Sequence, residues 1–215
     1  MGNRRKKKRA KKRGSMIAGF FVAALIIILG VEIFVLLMKG EADSSGQTTD
    51  SATERAQEIL ADMTLWEQVC QLFIVTPELL TGVSVATQAG ETTRQALETY
   101  PVGGIVYFAA NIATRDQCST MISNSQSYSK IGLFIAVDEE GGTVARIGNN
   151  SAMGTTSFPN MKTIGDTGDA QNAYDVGYTI GSEIRELGFN LDFAPVADVD
   201  SNPDNPVIGR YILRL

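Results

Sequence analysis

Four short segments constrain the fold more than anything else in this chain: "QLFIV" (Gln71–Val75), "GGIVYF" (Gly103–Phe108), "GLFIAV" (Gly132–Val137) and "NLDFAPV" (Asn190–Val196). Their apolar residues run nearly continuously instead of alternating with polar ones. A strand of that kind has to be covered on both faces, which a parallel sheet flanked by helices provides and an open antiparallel sheet does not. The intervening stretches read as helices, so the class is α/β.

Helical spacing is clear in "TERAQEILADM", where Ala56, Ile59, Leu60 and Met63 share a face. In "TLWEQ", Thr64 and Glu67 stand in capping-box positions for a second, short helix. Two longer helices are expected over "TRDQCSTMISNSQSYS" and "DAQNAYDVGYTIGSEIRELG", the latter closed by Gly188 as C-cap.

In sheets of this class chemistry gathers at the carboxyl ends of the strands, where the following loops converge. The third strand candidate ends in "DEEGG", residues 138–142. Asp138 is therefore placed to deliver a carboxylate into a site, while Gly141 and Gly142 permit a tight turn beside whatever binds. A solvated acidic turn is the alternative on composition alone. Glu139 and Glu140, as neighbours on extended backbone, point to opposite sides and do not flank one bond.

The front of the chain is of another kind. Arg4–Arg13 holds nine positive charges in ten positions, and Met16–Met38 follows with 23 residues and one charge, Glu32. As a helix that run is roughly 34 Å long, against a hydrocarbon core of roughly 30 Å. It is longer than a signal-peptide core and lacks a small-residue cleavage site, so an uncleaved anchor is expected. The positive-inside rule puts residues 1–15 in the cytoplasm and everything after Lys39 outside, in a single-pass cell-membrane protein. Residues 39–52, small, polar and acidic, read as a linker, and residues 53–215 as the folded domain.

Charge supports that division. Ten of the 19 basic residues lie in the tail or at Lys39, leaving nine after it, against all 24 acidic residues except Glu32; the outer part carries −14. A strongly acidic outer part argues against nucleic acid as its partner, and none is expected. Cys70 and Cys118 show no metal-type spacing and are expected as buried free thiols. With no His in 215 residues, imidazole-based zinc sites and Ser-His-Asp triads are excluded within this chain. "DVDSNPD" (Asp198–Asp204) begins like an EF-hand loop but has Pro203 where glycine is needed and Gly209 where glutamate is needed, so no metal is expected. No cofactor is expected either.

Taken together, "IAVDEEGGTVARI", Phe158–Pro159 and "ELGFNLDFAPVADVDSNPDNPVIGR" (Glu186–Arg210) resemble glycoside hydrolase family 3, in its β-N-acetylhexosaminidase branch. The family reads "VDxEGGxVxR" and then "FAPVxDV…NPVIGxRSF"; "WEQVCQLFIV" and "YPVGGIVYF" fit its first two strands. The resemblance spans roughly Thr53 to Gly209 and implies a TIM-like (β/α)8 barrel. It also implies sugar-binding roles for Asp138, Arg146 and Arg210, the last one position early relative to the family's arginine because "RYILRL" replaces the expected ending.

The same resemblance implies a retaining mechanism with a carboxylate nucleophile and a His acid/base, neither of which has a counterpart here, so no catalytic residue is assigned within the chain. A full barrel takes about 250 residues and four strands are in hand. The expectation is about the first half of the barrel behind an N-terminal transmembrane helix, inactive alone. Two functions stay open. One is a membrane-anchored glycosidase acting on extracellular amino-sugar glycans such as peptidoglycan fragments; the other is a non-catalytic tethered sugar-binding protein. Oligomeric state is not legible.

Overall fold

The computed structural model describes residues 51–198, 201–202 and 204–205. The expected anchor at 16–38, the basic tail and Arg210 lie outside the described residues. Two compact units divide after Asp62. In the first, helix α1 covers 51–61, with Arg55 and Glu58 paired one turn apart.

The second unit begins with α2 (Leu65–Cys70), whose N-terminus carries the expected capping box: Thr64 Oγ1 accepts from the Glu67 N–H, and Glu67 accepts from the Thr64 N–H at 2.7 Å. The sheet that follows is fully parallel, in the order β1 (Ile74–Val75), β2 (Gly104–Tyr107), β3 (Phe134–Val137), β6 (Leu191–Asp192). Between the strands run α3 (Pro77–Thr81), α4 (Glu91–Thr99), α5 (Arg115–Tyr128), α6 (Met161–Gly165) and α7 (Ala170–Leu187). Helix α5 starts on a capping box from Thr114, and α7 ends on Gly188 at φ 105°, the left-handed cap that glycine adopts at least cost. A two-stranded antiparallel hairpin, β4 (Glu139–Gly141) and β5 (Val144–Ala145), leaves the end of β3.

The strands are shorter than their apolar runs. Gln71 is still helical as the C-cap of α2, and the N–H groups of Leu72 and Phe73 bond back to Val69 and Cys70, so β1 starts only at Ile74. At the other edge β6 covers two residues of the seven, although the Phe193 N–H still donates to Val137 O at 2.9 Å; Pro195 has no N–H with which to extend a ladder.

Burial follows the reading of the strands as two-sided. Ile105, Ile135, Ala136 and Val137 are wholly buried, and Ile122, Met121, Leu97, Ile184 and Leu187 pack around them from α4, α5 and α7. Both cysteines are free and buried; burial pushes the Cys118 thiol up to about 11. Tyr107, on β2, keeps its hydroxyl in the core by pairing with Ser125 of α5 at 3.0 Å. The side next to β1 is open by contrast. An apolar cavity of about 500 Å³ is lined there by Trp66, Val69, Phe73, Leu79 and Tyr100 among others, and Leu72 beside it is 83% exposed. Trp66 donates its indole N–H to Thr99 O at 3.0 Å.

Candidate functional site

Asp138 follows directly on β3, and the hairpin β4–β5 brings Arg146 back to it. Arg146 Nη2 stands 3.2 Å from Asp138 Oδ2, with both side chains about three-quarters buried. The guanidinium also lies over the ring of Phe108, 5.6 Å from its centroid, and Phe108 follows directly on β2. Two of the three residues singled out from the sequence are therefore together, at the carboxyl-end corner of β3 where the hairpin returns. The third, Arg210, is outside the described residues.

The corner is held by carboxylates. Glu139 is buried, and its side chain accepts two consecutive N–H groups, Ile147 to Oε2 at 2.7 Å and Gly148 to Oε1 at 2.8 Å. Its own N–H donates to Asp192 Oδ1 on β6 at 2.9 Å. Burial raises the Glu139 carboxyl against the lowering effect of those N–H donors. Burial also raises Glu140, helped by the charge of Asp138 and opposed by Arg146. Asp192 is pushed up to about 6, by burial first and then by the charges of Glu139, Asp138 and Glu140. Four carboxylates thus gather in the corner, of which Asp138 pairs with the guanidinium. Two polar atoms of the corner, Glu140 Oε2 and Arg146 Nε, are buried without a hydrogen-bond partner, which few buried groups in native proteins are.

The Glu139 side chain turns inward to the backbone, onto the Ile147 and Gly148 N–H groups. The two glycines after Glu140 turn the chain at φ 84° and 62°. What lies beside them is the protein's own segment 158–161. A Cβ on Gly141 would stand 2.7 Å from Met161 Cε, and one on Gly142 would stand 2.6 Å from Asn160 Cα. The Gly142 N–H donates to Phe158 O, and Asn160 Oδ1 accepts from the Thr143 N–H at 3.0 Å.

Sequence reasoning missed Phe108, Asp192 and the role of Glu139. A lone acid inside the apolar run "NLDFAPV" is a signal for Asp192. Nothing in the sequence announces that Glu139 would reach eight and nine residues ahead. Among the described residues, no group of His, Cys, Asp and Glu side chains is arranged to hold a metal ion.

Over 122 residues the chain is 41% identical to Beta-hexosaminidase A of Pseudoalteromonas piscicida, covering 53% of this chain and 20% of that protein. Over 119 residues it is 34% identical to the Beta-hexosaminidase of Bordetella avium, covering 53% of this chain and 33% of that one. It therefore spans between a fifth and a third of these two relatives. The structure of a glycoside hydrolase family 3 β-N-acetylglucosaminidase from Paenibacillus sp. FPU-7 superposes with a TM-score of 0.59 at 35% identity, over 68% of this chain and 26% of that one. The parallel α/β sheet is that of this family's barrel domain. Residues 64–211 match the Glycosyl hydrolase family 3 N terminal domain, and the chain belongs to that family of glycoside hydrolases.

Proposed function

We propose that this chain carries the sugar-binding front of a membrane-anchored glycosidase that releases terminal β-linked N-acetylhexosamine, with retention, from amino-sugar glycans outside the cell. The observation that carries the reading is the ion pair between Asp138, at the carboxyl end of β3, and Arg146, brought back to it by the hairpin β4–β5, in a chain whose relatives are β-hexosaminidases. Asp138 accepts sugar hydroxyls, since a carboxylate forms the stronger, directional hydrogen bonds that select one sugar geometry. Arg146 and Arg210 donate to the same sugar. The unpartnered Arg146 Nε and Glu140 Oε2 are a donor and an acceptor of the kind a polyhydroxylated ligand matches.

No catalytic residue is proposed among these 215, because the sequence contains no His for the branch's acid/base. Titration of the chain with N-acetylglucosamine, beside an assay with a chromogenic β-N-acetylglucosaminide, tests both halves. Binding without turnover is expected. Failure to bind removes the sugar site, and turnover removes the assignment of catalysis elsewhere. Binding without turnover also fits a tethered sugar-binding protein, a reading favoured by the lack of His; a chromogenic assay on membranes of the source cells, with and without the gene, separates the two.

The anchor at residues 16–38 and the outward orientation rest on the nine basic charges before a spanning apolar run. Protease added to intact cells is expected to remove the region after Lys39 and to spare a tag at Met1. Protection of that region would reverse the orientation.

A further inference from the structure

The residue that the sugar-binding reading leaves without a role is Glu139. It is among the most buried charged side chains described, only 4% exposed, yet the hydrogen bonds of its carboxylate go to backbone amides. Its position in the chain is what gives it leverage. Immediately before it is Asp138; immediately before its two acceptor-seeking amides, Ile147 and Gly148, is Arg146. The carboxylate therefore spans the base of the hairpin and fixes the separation between the two residues that form the corner's ion pair. Its own N–H, donated to Asp192 on the neighbouring strand, fixes the near side of that base to the sheet. Gly148 leaves room for the contact: a Cβ there would stand 2.9 Å from Glu139 Oε1.

We infer that Glu139 is a positioning residue for sugar binding: its buried carboxylate, bridging the Ile147 and Gly148 amides, sets Arg146 against Asp138 and Phe108. This rests on the sugar-binding reading of Asp138 and Arg146. The bridge needs two acceptor oxygens, and a carboxylate supplies both, whereas an amide of the same shape supplies one and turns an N–H₂ group toward the other donor. Positioning of this kind acts only through what it positions, so its effect has to vanish when Arg146 is removed.

The test is a double-mutant cycle on the full chain, with N-acetylglucosamine as the probe and its dissociation constant measured calorimetrically. Glu139→Gln is expected to weaken binding about tenfold, the scale of one hydrogen bond to a charged group. In an Arg146→Ala background the same substitution is expected to change binding by less than twofold. An undiminished effect in that background overturns the inference, because a residue that merely stabilises the fold would weaken binding in both. Wild-type affinity in Glu139→Gln, with binding lost in Asp138→Asn, also overturns it and leaves the sugar site intact. If Asp138→Asn and Arg146→Ala both bind as the wild type does, the sugar site itself fails and this inference with it. Should Glu139→Gln not fold, amide hydrogen exchange in the unsubstituted chain decides. Saturating N-acetylglucosamine is expected to slow exchange at Ile147 and Gly148 by about tenfold, and unchanged exchange at both overturns the bridge.

Discussion

The hairpin corner after β3 and the open flank beside β1 are both rich in close contacts, but of opposite kinds. In the corner nearly every polar group has a directional partner within the chain, and the few that do not sit around Asp138 and Arg146. On the flank the hydrogen bonds end on backbone carbonyls: the Gly103 N–H donates to Cys70 O and Phe73 O, Gln71 Nε2 donates to Pro101 O and Val102 O, and Leu72, Phe73 and Leu79 stand apolar and exposed. Directional groups resist small displacements and discriminate among ligands by geometry, whereas apolar surface rewards only its own coverage. The corner thus has the directional groups that the proposed sugar binding needs, and the flank has apolar surface.

Substitutions separate the two regions, beginning with the largest effect. A Cβ on Gly103 would stand 2.1 Å from Gln71 O, a collision with backbone that no rotamer relieves. Gly103→Ala is expected to lower stability by about 3 kcal/mol or more, read as the shift in urea midpoint at constant slope. Tolerance of the substitution would mean that the flank is looser than its hydrogen bonds state. Next is Asp138→Asn, expected to reduce sugar affinity, or kcat/KM in the hydrolase, by roughly 10–100-fold, equivalent to about 1.4–2.7 kcal/mol. Its urea midpoint should move less than that of Gly103→Ala, and unchanged affinity would reduce "DEEGG" to a solvated turn.

A third, smaller effect is electrostatic. Asp192 holds its proton up to about pH 6 in the folded chain, mainly because burial disfavours its charge, and would lose it near 4 when unfolded. A raised carboxyl contributes stability that is fully present below the unfolded value and is lost as pH rises through the folded one. Lowering pH from 7 to 4.5 is therefore expected to add about 1 kcal/mol from this group, after reduction for its contact with solvent. Asp192→Asn should flatten that part of the stability profile, and an equal slope in the variant would assign it to Glu139 and Glu140 instead. The smallest effect belongs to the flank: Leu72→Ser, at an 83% exposed position, is expected to change stability by less than about 0.5 kcal/mol. A larger loss would show that the apolar flank is covered in solution.

The parallel sheet was legible because its strands are apolar throughout, and α2 and α7 because Thr64 and Gly188 cap them with side chain or backbone freedom. Strand ends were not, since whether Leu72 and Phe73 complete a helix or begin a strand depends on α2 reaching Cys70, a contest between neighbours that composition does not decide. Helices α3 and α4 escaped notice for a related reason: each is short, and "ETTRQALET" buries only Thr93 and Leu97. In the site, Asp138 was legible from its place at a strand end, and Arg146 through the family motif. The hairpin was read as a plain turn, because the pairing of Glu139 with Ala145 and the anchoring of Gly142 by segment 158–161 are contacts between residues whose types carry no such message.

The indole of Trp66 has an optical consequence. It is the one tryptophan in the sequence, and it stands half-exposed against Tyr100 in the wall of the flank cavity, far along the sheet order from the β3–β6 side. Emission excited at the red edge of tyrosine absorption therefore comes from the flank alone. A sugar entering the hairpin corner leaves that emission unmoved, while any surface that settles over the cavity dries the indole and shifts its light toward the blue. The molecule carries a lamp on one side, and it distinguishes events there from events at the corner without any label.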